Sequence, residues 1–551
     1  MDYYYSETSR ITKYPGIHLH QDHIGTNYKV PWDDFGYIIT FQAYYVKNNT
    51  KIKIGNVKIL AKDCENTSVY FKENGESIEP KIIKINRLLS EEKLVSIGKD
   101  MIYYKNINSL FNQREEDVDY LLESLCDAGY FYRNHDKYSK WGGYSDSLLR
   151  EGGATVLLKK GYSIALGNYS PRKEFNLLVD GLGNKFDPVS FKFNVNGKIG
   201  RSDVCLLIGK NGVGKTHILK RISEIISGTS TDKCAHPYFH KLIVIAYSPF
   251  DSFYTENEMF SKIVKKHSHG EVVNNKKSDK RKRLHVNAYS YVGFRDQDGN
   301  FDLKYPVIKS VESVINIIKY DYENMCLADK TKLEVLIETL SASISFDSIS
   351  IFNDKGEEIF LTGNIKPSSL KTKIDFSKGL VFRKNSEIIP LSSGQKIYTY
   401  MIPAIISELE DESLLVIDEP ELYLHPELEV ELINMLKNIL KEMNSFAIIA
   451  THSAILTREV ERESVTILRK NNGKTSSFSS SIETYGESVD AIIAEVFDDG
   501  YTIKSYQREI DRYLNEKKSI HDIKGCVGDD ALAYALSKSL NDGYFDFEDE
   551  K

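Results

Sequence analysis

The run Gly209-Lys210-Asn211-Gly212-Val213-Gly214-Lys215-Thr216 decides the fold. It fits the pattern G-x-x-x-x-G-K-[S/T], and its surroundings matter as much as its letters. Before it stands Val204–Ile208, an unbroken apolar run of the kind a central parallel strand shows. After it, Ile218, Leu219, Ile222, Ile225 and Ile226 recur at helical spacing and predict an amphipathic helix. Strand, glycine-rich loop and helix in that order predict a phosphate loop. Its glycines let backbone N–H groups converge on phosphate oxygens, and the helix N-terminus adds partial positive charge. Lys215 is expected to reach the β- and γ-phosphates of ATP, and the Thr216 hydroxyl to ligate Mg2+.

Three further stretches lie C-terminal to this loop. In Leu414-Leu415-Val416-Ile417-Asp418-Glu419-Pro420 an apolar strand ends in two adjacent carboxylates. Such pairs are common on surfaces. Beside a phosphate loop, Asp418 is expected to hold Mg2+ through its water shell, and Glu419 to orient and deprotonate the attacking water. Leu391-Ser392-Ser393-Gly394-Gln395 precedes that strand. By itself a serine–glycine turn before a helix is most often a cap. Ala450-Thr451-His452-Ser453 closes a third apolar run, Phe446–Ala450, where a lone histidine is usually structural.

Taken in order, the four stretches resemble those of ABC-type ATPases. Residues 391–395 are similar to the LSGGQ signature of that class, with serine in place of its first glycine. The resemblance implies a head-to-head dimer in which the signature, Ser392, Ser393, Gly394 and Gln395, acts in trans. Ser393 and Gly394 would face the γ-phosphate held by the other subunit. It also implies that His452 is the switch histidine that contacts the γ-phosphate. One element of the class is missing. Ser248-Pro-Phe-Asp-Ser-Phe253 occupies the expected stretch after Ala246 without a glutamine, and Gln297, in the turn Asp296-Gln297-Asp298-Gly299, is the remaining candidate.

Pro420-Glu421-Leu422-Tyr423-Leu424-His425-Pro426 resembles the DEPE-x-x-LHP stretch of non-transporter ABC ATPases: the RecF-like, overcoming-lysogenization-defect and Septu groups. Pro426 then opens a helix, with Leu428, Leu432, Met435 and Ile439 on one face. A transporter ATPase is disfavoured by the long stretch between Lys215 and Leu391, and a coiled-coil ATPase by the lack of sustained heptads there. After His452 comes Asp498-Asp499-Gly500, but no strand-borne glutamate followed by a DxD pair, so no built-in nuclease is expected. The Septu-type resemblance covers about residues 186–500. It rests on Ser248–Phe253, the signature, the run through Pro426, and Gly486-Glu-Ser-Val-Asp-Ala491. It implies a cytoplasmic ATPase that controls a separate HNH nuclease in antiviral defence. The chain's length and N-terminal extension are similar to the retron-associated version, in which a reverse transcriptase and its RNA–DNA hybrid join the assembly. Two other readings stay open: a RecF-like or OLD-like repair ATPase that clamps DNA, and an assembly scaffold that binds ATP with little turnover.

The bulk properties agree with a large α/β protein. A chain of 551 residues is too long for one core. A net charge of −7, with 41% hydrophobic and 27% charged residues, gives no global pull toward nucleic acid or anionic membrane. Cys64, Cys126, Cys205, Cys234, Cys326 and Cys526 form no CxxC pair, so neither zinc nor a disulfide framework is expected, and a reducing cytoplasm fits. The start, MDYYYSETSR, does not read as a signal peptide, and no apolar run approaches the ~20 residues of a membrane helix.

The expected organisation has three parts. Residues 1–185 form an N-terminal α/β extension, with strands in Gly36–Leu60 and a helix carrying Val118, Leu121, Leu122 and Leu125. Residues 186–500 form the ABC-type P-loop head, with a helical and basic insertion at about 255–380. Residues 501–551 form a helical tail, whose apolar positions Ile503, Tyr506, Ile510, Tyr513 and then Leu532, Leu536, Leu540 offer a partner-docking surface. Nine Lys/Arg crowd Lys262–Arg283, ending in Lys280, Arg281, Lys282 and Arg283. Such a run reads as a solvated loop or as a nucleic-acid backbone contact.

Overall fold

The structure is a computed structural model. It describes the chain except residues 25–29, 32–35, 113, 150–153, 172, 195–202, 231–238, 268–288, 325–330, 362–373, 498–502, 517–519 and 542–551. Two compact units are present, Met1–Gly486 and Glu487–Lys551.

The centre of the first unit is a seven-stranded sheet. Its strands are β1 (Val204–Gly209), β2 (Leu242–Ala246), β3 (Tyr289–Gly293), β4 (Leu414–Asp418), β5 (Phe446–Thr451), β6 (Val465–Asn471) and β7 (Lys474–Ser479). The spatial order is β3-β2-β4-β5-β1-β6-β7, parallel throughout except for β7. The apolar runs VCLLI, LIVIA, LLVI and FAIIA make the middle strands, and each is fully buried, as a parallel sheet covered on both faces requires. Helix α1 (Lys215–Ile226) buries Ile218, Leu219, Ile222 and Ile225 against this sheet. Register is what matters for function. Asp418 at the end of β4 stands opposite Ala450 near the end of β5, so the acids and His452 emerge at the C-terminal ends of neighbouring central strands, beside the loop that follows β1.

Among the described residues, none of 1–185 extends that sheet. They contribute a second seven-stranded sheet, mostly antiparallel, which includes Thr40–Lys47 and Thr50–Ala61. The helix Glu115–Ser124 buries Val118, Leu121 and Leu122 in the core of this part. A charged seam joins it to the ATPase core. Lys105 pairs with Asp411, Tyr169 donates to Glu412, and Lys160 Nζ lies 3.9 Å from Glu412 Oε2. All three anchors meet the short loop that leads into β4. Next to it, His240 Nε2 lies 2.6 Å from Glu410 Oε2, and Lys241 Nζ lies 2.6 Å from Glu408 Oε2.

The stretch 255–380 is only partly additional to the ATPase sheet. β3 falls inside it and pairs in parallel with β2 along Leu242–Ala246. The short YSYVG run that forms β3 mixes small and aromatic residues and follows a basic segment, so its hydrophobic pattern is weak. The remainder supplies the helices Tyr305–Asn324 and Lys332–Ser341, and the strands Ser348–Phe352 and Glu358–Phe360 of a four-stranded sheet. Of the basic run, Lys262 is described, and it binds Glu224 at 3.1 Å. Lys280, Arg281, Lys282 and Arg283 lie outside the described residues.

In the second unit the helix Asp529–Asn541 meets the helix Ser505–Asn515 through a Tyr534-to-Asp511 hydrogen bond of 3.0 Å. Leu536 of the leucine stripe lies off its buried face. Ala535 and Ser539 are buried, while Leu536 is 37% exposed. Small side chains one position away along the helix make the closer contact, and the side chain of Leu540 lies outside the described residues. The helix Val489–Val496 also belongs to this unit.

Candidate functional site

The loop after β1 takes a shape that glycine permits. Gly212 and Gly214 have φ of +76° and +107°, and a side chain at Gly214 would run into the ring of Phe186 at 2.6 Å. Gly214 caps α1 without a side-chain hydrogen bond, so the first N–H groups of the helix are left for a ligand.

Lys215 turns back from the start of α1 over the loop. Its Nζ donates to Gly209 O at 3.1 Å and to His452 Nε2, and lies 3.7 Å from Glu419 Oε1. Burial lowers its pKa, against the opposing pull of Glu419, Asp418 and Glu421. His452 Nε2 is 3.4 Å from the same Glu419 oxygen. Burial and then the Lys215 ammonium hold this imidazole below its usual range, in keeping with a neutral ring that accepts from the lysine. Three of the expected residues therefore form one contact group.

The Thr216 hydroxyl donates to Asp418 Oδ2 at 2.8 Å, while Asp418 Oδ1 is buried without a hydrogen-bond partner. Burial pushes the Asp418 carboxyl up to about 6, with Thr216 and Lys215 opposing it and Glu419 and Asp251 adding to it. A hydroxyl and a carboxylate with a spare inward oxygen are hard oxygen donors. They suit Mg2+, which takes one or two protein ligands beside substrate phosphate.

Glu419 follows β4 in the left-handed region, with φ of +46°. Its N–H donates to Ala450 O at 2.9 Å, which locks the turn against the end of β5. A non-glycine residue in this conformation carries strain of about 1–3 kcal/mol, sustained by the surrounding structure.

The signature residues sit elsewhere on the same chain. Ser392 Oγ accepts from Gln395 N at 3.2 Å and Gln395 Oε1 accepts from Ser392 N at 3.1 Å, a reciprocal cap on helix α2 (Ser393–Glu408). Gly394 packs so closely on the start of helix α3 (Pro426–Glu442) that a Cβ would meet Leu428 Cδ1 at 2.8 Å. Among the described residues, no hydrogen bond or ion pair joins 392–395 to 209–216.

Residues without an assigned role in the sequence also enter the site. Glu421 Oε1 accepts from His452 N at 2.6 Å and from Thr451 Oγ1 at 2.7 Å. Ser453 Oγ donates to Glu429. Asp251, in the stretch where a glutamine is missing, accepts from Tyr291 OH at 2.9 Å and adds to the negative field on Asp418. Gln297 instead offers its backbone oxygen to Thr255 Oγ1 at 3.1 Å. Glu421 was visible as the third acid of the DEPE run. Asp251 lies within the Ser248–Phe253 stretch but had no role assigned there, and nothing in the sequence marks Phe186.

Fold and site together define a P-loop ATPase of the AAA/ABC-like type. A family model described as "AAA domain, putative AbiEii toxin, Type IV TA system" matches residues 204–458, from β1 to just past His452. The chain is similar to Protein ea59 of Escherichia phage lambda, with 22% identity over 532 residues, 90% of this chain and 91% of that protein. Among solved structures, it matches the SMC head domain from Thermotoga maritima at 15% identity, covering 56% of this chain and 100% of that one, with a TM-score of 0.26. An SMC head bound to the C-terminal winged-helix domain of ScpA matches at 13% identity, 56% of this chain and 98% of that one, with a TM-score of 0.32. Among the described residues, no helix is long and apolar enough to cross a membrane.

Proposed function

We propose that this protein binds ATP·Mg2+ between two copies of itself, hydrolyses it with Glu419 as base, and uses the cycle to control a separate nuclease. The observation that carries the ATPase part is the convergence of Lys215, His452 and Glu419 on one another beside Thr216 and Asp418. In this reading the loop N–H groups and Lys215 bind the β- and γ-phosphates. Thr216 and Asp418 hold Mg2+, which when bound draws charge off the transferring phosphoryl group. Glu419 takes the proton of the attacking water, and His452 orients toward the γ-phosphate in place of its present lysine contact. The aromatic face of Phe186, packed on Gly214 and 5.1 Å from the ring of His217, offers a wall beside the phosphate loop.

The dimer part is supported by the placement of Ser392–Gln395, whose side-chain hydrogen bonds stay within their own turn. In this reading a second copy brings a signature to each phosphate loop. The nuclease part rests on the resemblance of Leu391–Gln395 and Asp418–Pro426 to Septu-type ATPases. It extends to an HNH nuclease and, in the retron version, to a reverse transcriptase with its RNA–DNA hybrid. The description of the matching family model, which names a toxin, is in keeping with a defence setting. A DNA-clamping repair ATPase is the second reading, favoured by the same DEPE run. Co-purification with the products of adjacent genes separates the two. An HNH protein retained by this chain supports the first. Tight DNA binding with no nuclease retained supports the second.

A further inference from the structure

We infer that Glu421 is a positioning residue that fixes His452 against Glu419, an inference that rests on the ATPase reading of those two residues. The acids of the DEPE run then have separate tasks: Asp418 and Glu419 face the reaction, and Glu421 builds the frame that keeps it aligned.

The geometry begins with the short 310 turn Pro420–Tyr423, which reverses the chain directly after Glu419. That reversal carries the Glu421 side chain back across the end of β5. One carboxylate oxygen, Oε1, takes both the main-chain N–H of His452 and the hydroxyl of Thr451. The Thr451 hydroxyl in turn accepts from Ser453 N at 2.9 Å. Ser453 Oγ caps the next helix, accepting from Ile455 N and Leu456 N at 3.1 Å each, and donates to Glu429 of α3. Residues 451–453 are thus tied at consecutive positions by two carboxylates, both from the segment that follows Glu419. The Glu419 N–H closes the frame on Ala450 O.

The energetic logic favours rigidity. Losing Glu421 would leave the part-buried His452 N–H without its carboxylate acceptor. The imidazole hangs from this anchored backbone and reaches Glu419 Oε1 at 3.4 Å. Freeing its main chain would let the ring drift from that position, and a misplacement of about 1 Å can cost about 100-fold in rate. Among the described residues Glu421 Oε2 has no hydrogen-bond partner, so the residue uses one oxygen as a two-donor acceptor. What it contributes is the position of an oxygen rather than a net charge.

Geometry and charge predict opposite orders for two conservative variants. Glu421→Gln keeps an oxygen at the same reach and is expected to hold kcat within about threefold of wild type. Glu421→Asp keeps the charge but shortens the arm, and kcat is expected to fall by about 10- to 100-fold with KM for ATP little changed. In a His452→Ala background, Glu421→Asp should add less than about threefold, because the anchored ring is already gone. Melting temperature and ATP binding of each variant establish that it is folded. Activity in Glu421→Asp with loss in Glu421→Gln would overturn the inference, because the charge would then matter. A full additional loss in the His452→Ala background would also overturn it. If instead Glu419→Gln hydrolyses ATP like wild type, the ATPase reading of Glu419 fails, while the Glu421–His452 comparison can still be read.

Discussion

Thr216 Oγ1 and Asp418 Oδ2 are hydrogen-bonded at 2.8 Å across 202 residues of sequence. The strand that ends in Asp418 and the helix that begins at Lys215 are thereby closed on each other at the place where a metal would be shared. Replacing Asp418 by Asn keeps the shape and removes the charge. The expected result is ATP binding that no longer strengthens when Mg2+ is added, read by titrating a fluorescent ATP analogue with and without the metal. An unchanged Mg2+ effect would move the metal site away from Asp418.

The proposed trans arrangement predicts complementation. Lys215→Ala chains and Ser393→Arg chains should each be inactive alone. Mixed, each heterodimer regains one site built from an intact phosphate loop and an intact signature. ATPase activity should recover to about a quarter of wild type, the value expected when half the dimers are mixed and each carries one of two sites. No recovery on mixing would count against the sandwich.

The charged seam beside the loop Glu408–Ser413 predicts a pH dependence of stability. Burial alone would raise the Glu408 carboxyl, but Lys241 and Lys309 outweigh it and hold the value down to about 2. A carboxylate whose folded value lies below its unfolded value contributes stability that is present above about pH 4.5 and lost as pH falls toward 2. The gap in unfolding free energy between wild type and Glu408→Gln should therefore narrow by about 2 kcal/mol between about pH 5 and pH 3. Denaturant melts at several pH values measure it, and a gap independent of pH would show that Lys241 is not compensated by Glu408.

The exposed leucine of the C-terminal unit offers a test of the proposed nuclease partner. Leu536→Glu alters a side chain 37% exposed, so the unfolding free energy should fall by no more than about 1–2 kcal/mol and the fold should persist. Retention of a co-expressed HNH nuclease in a pull-down should drop sharply. Full retention would place the docking surface elsewhere.

Most of the sheet was legible because buried parallel strands write themselves as unbroken apolar runs, and Val204–Ile208, Leu242–Ala246, Leu414–Ile417 and Phe446–Ala450 all do so. The Tyr289–Gly293 strand was missed because its pattern has no such run. The sequence also left open whether the N-terminal strands join the ATPase sheet, since periodicity gives each strand's faces but not its neighbours. In the site, Lys215, Thr216, Asp418, Glu419 and His452 could be named because their order and local context are informative. Asp251 and Glu429 could not, because their contacts to Tyr291 and Ser453 depend on tertiary packing alone.

The central claim is that Glu419 serves as the base at a site where Lys215 binds phosphate. Its most direct test compares ATP binding and single-turnover hydrolysis in wild type, Lys215→Ala and Glu419→Gln. Lys215→Ala should fail to bind ATP. Glu419→Gln should bind ATP as tightly as wild type and retain it unhydrolysed, with the chemical step slowed by about 100- to 10,000-fold. Hydrolysis by Glu419→Gln at the wild-type rate would contradict the account.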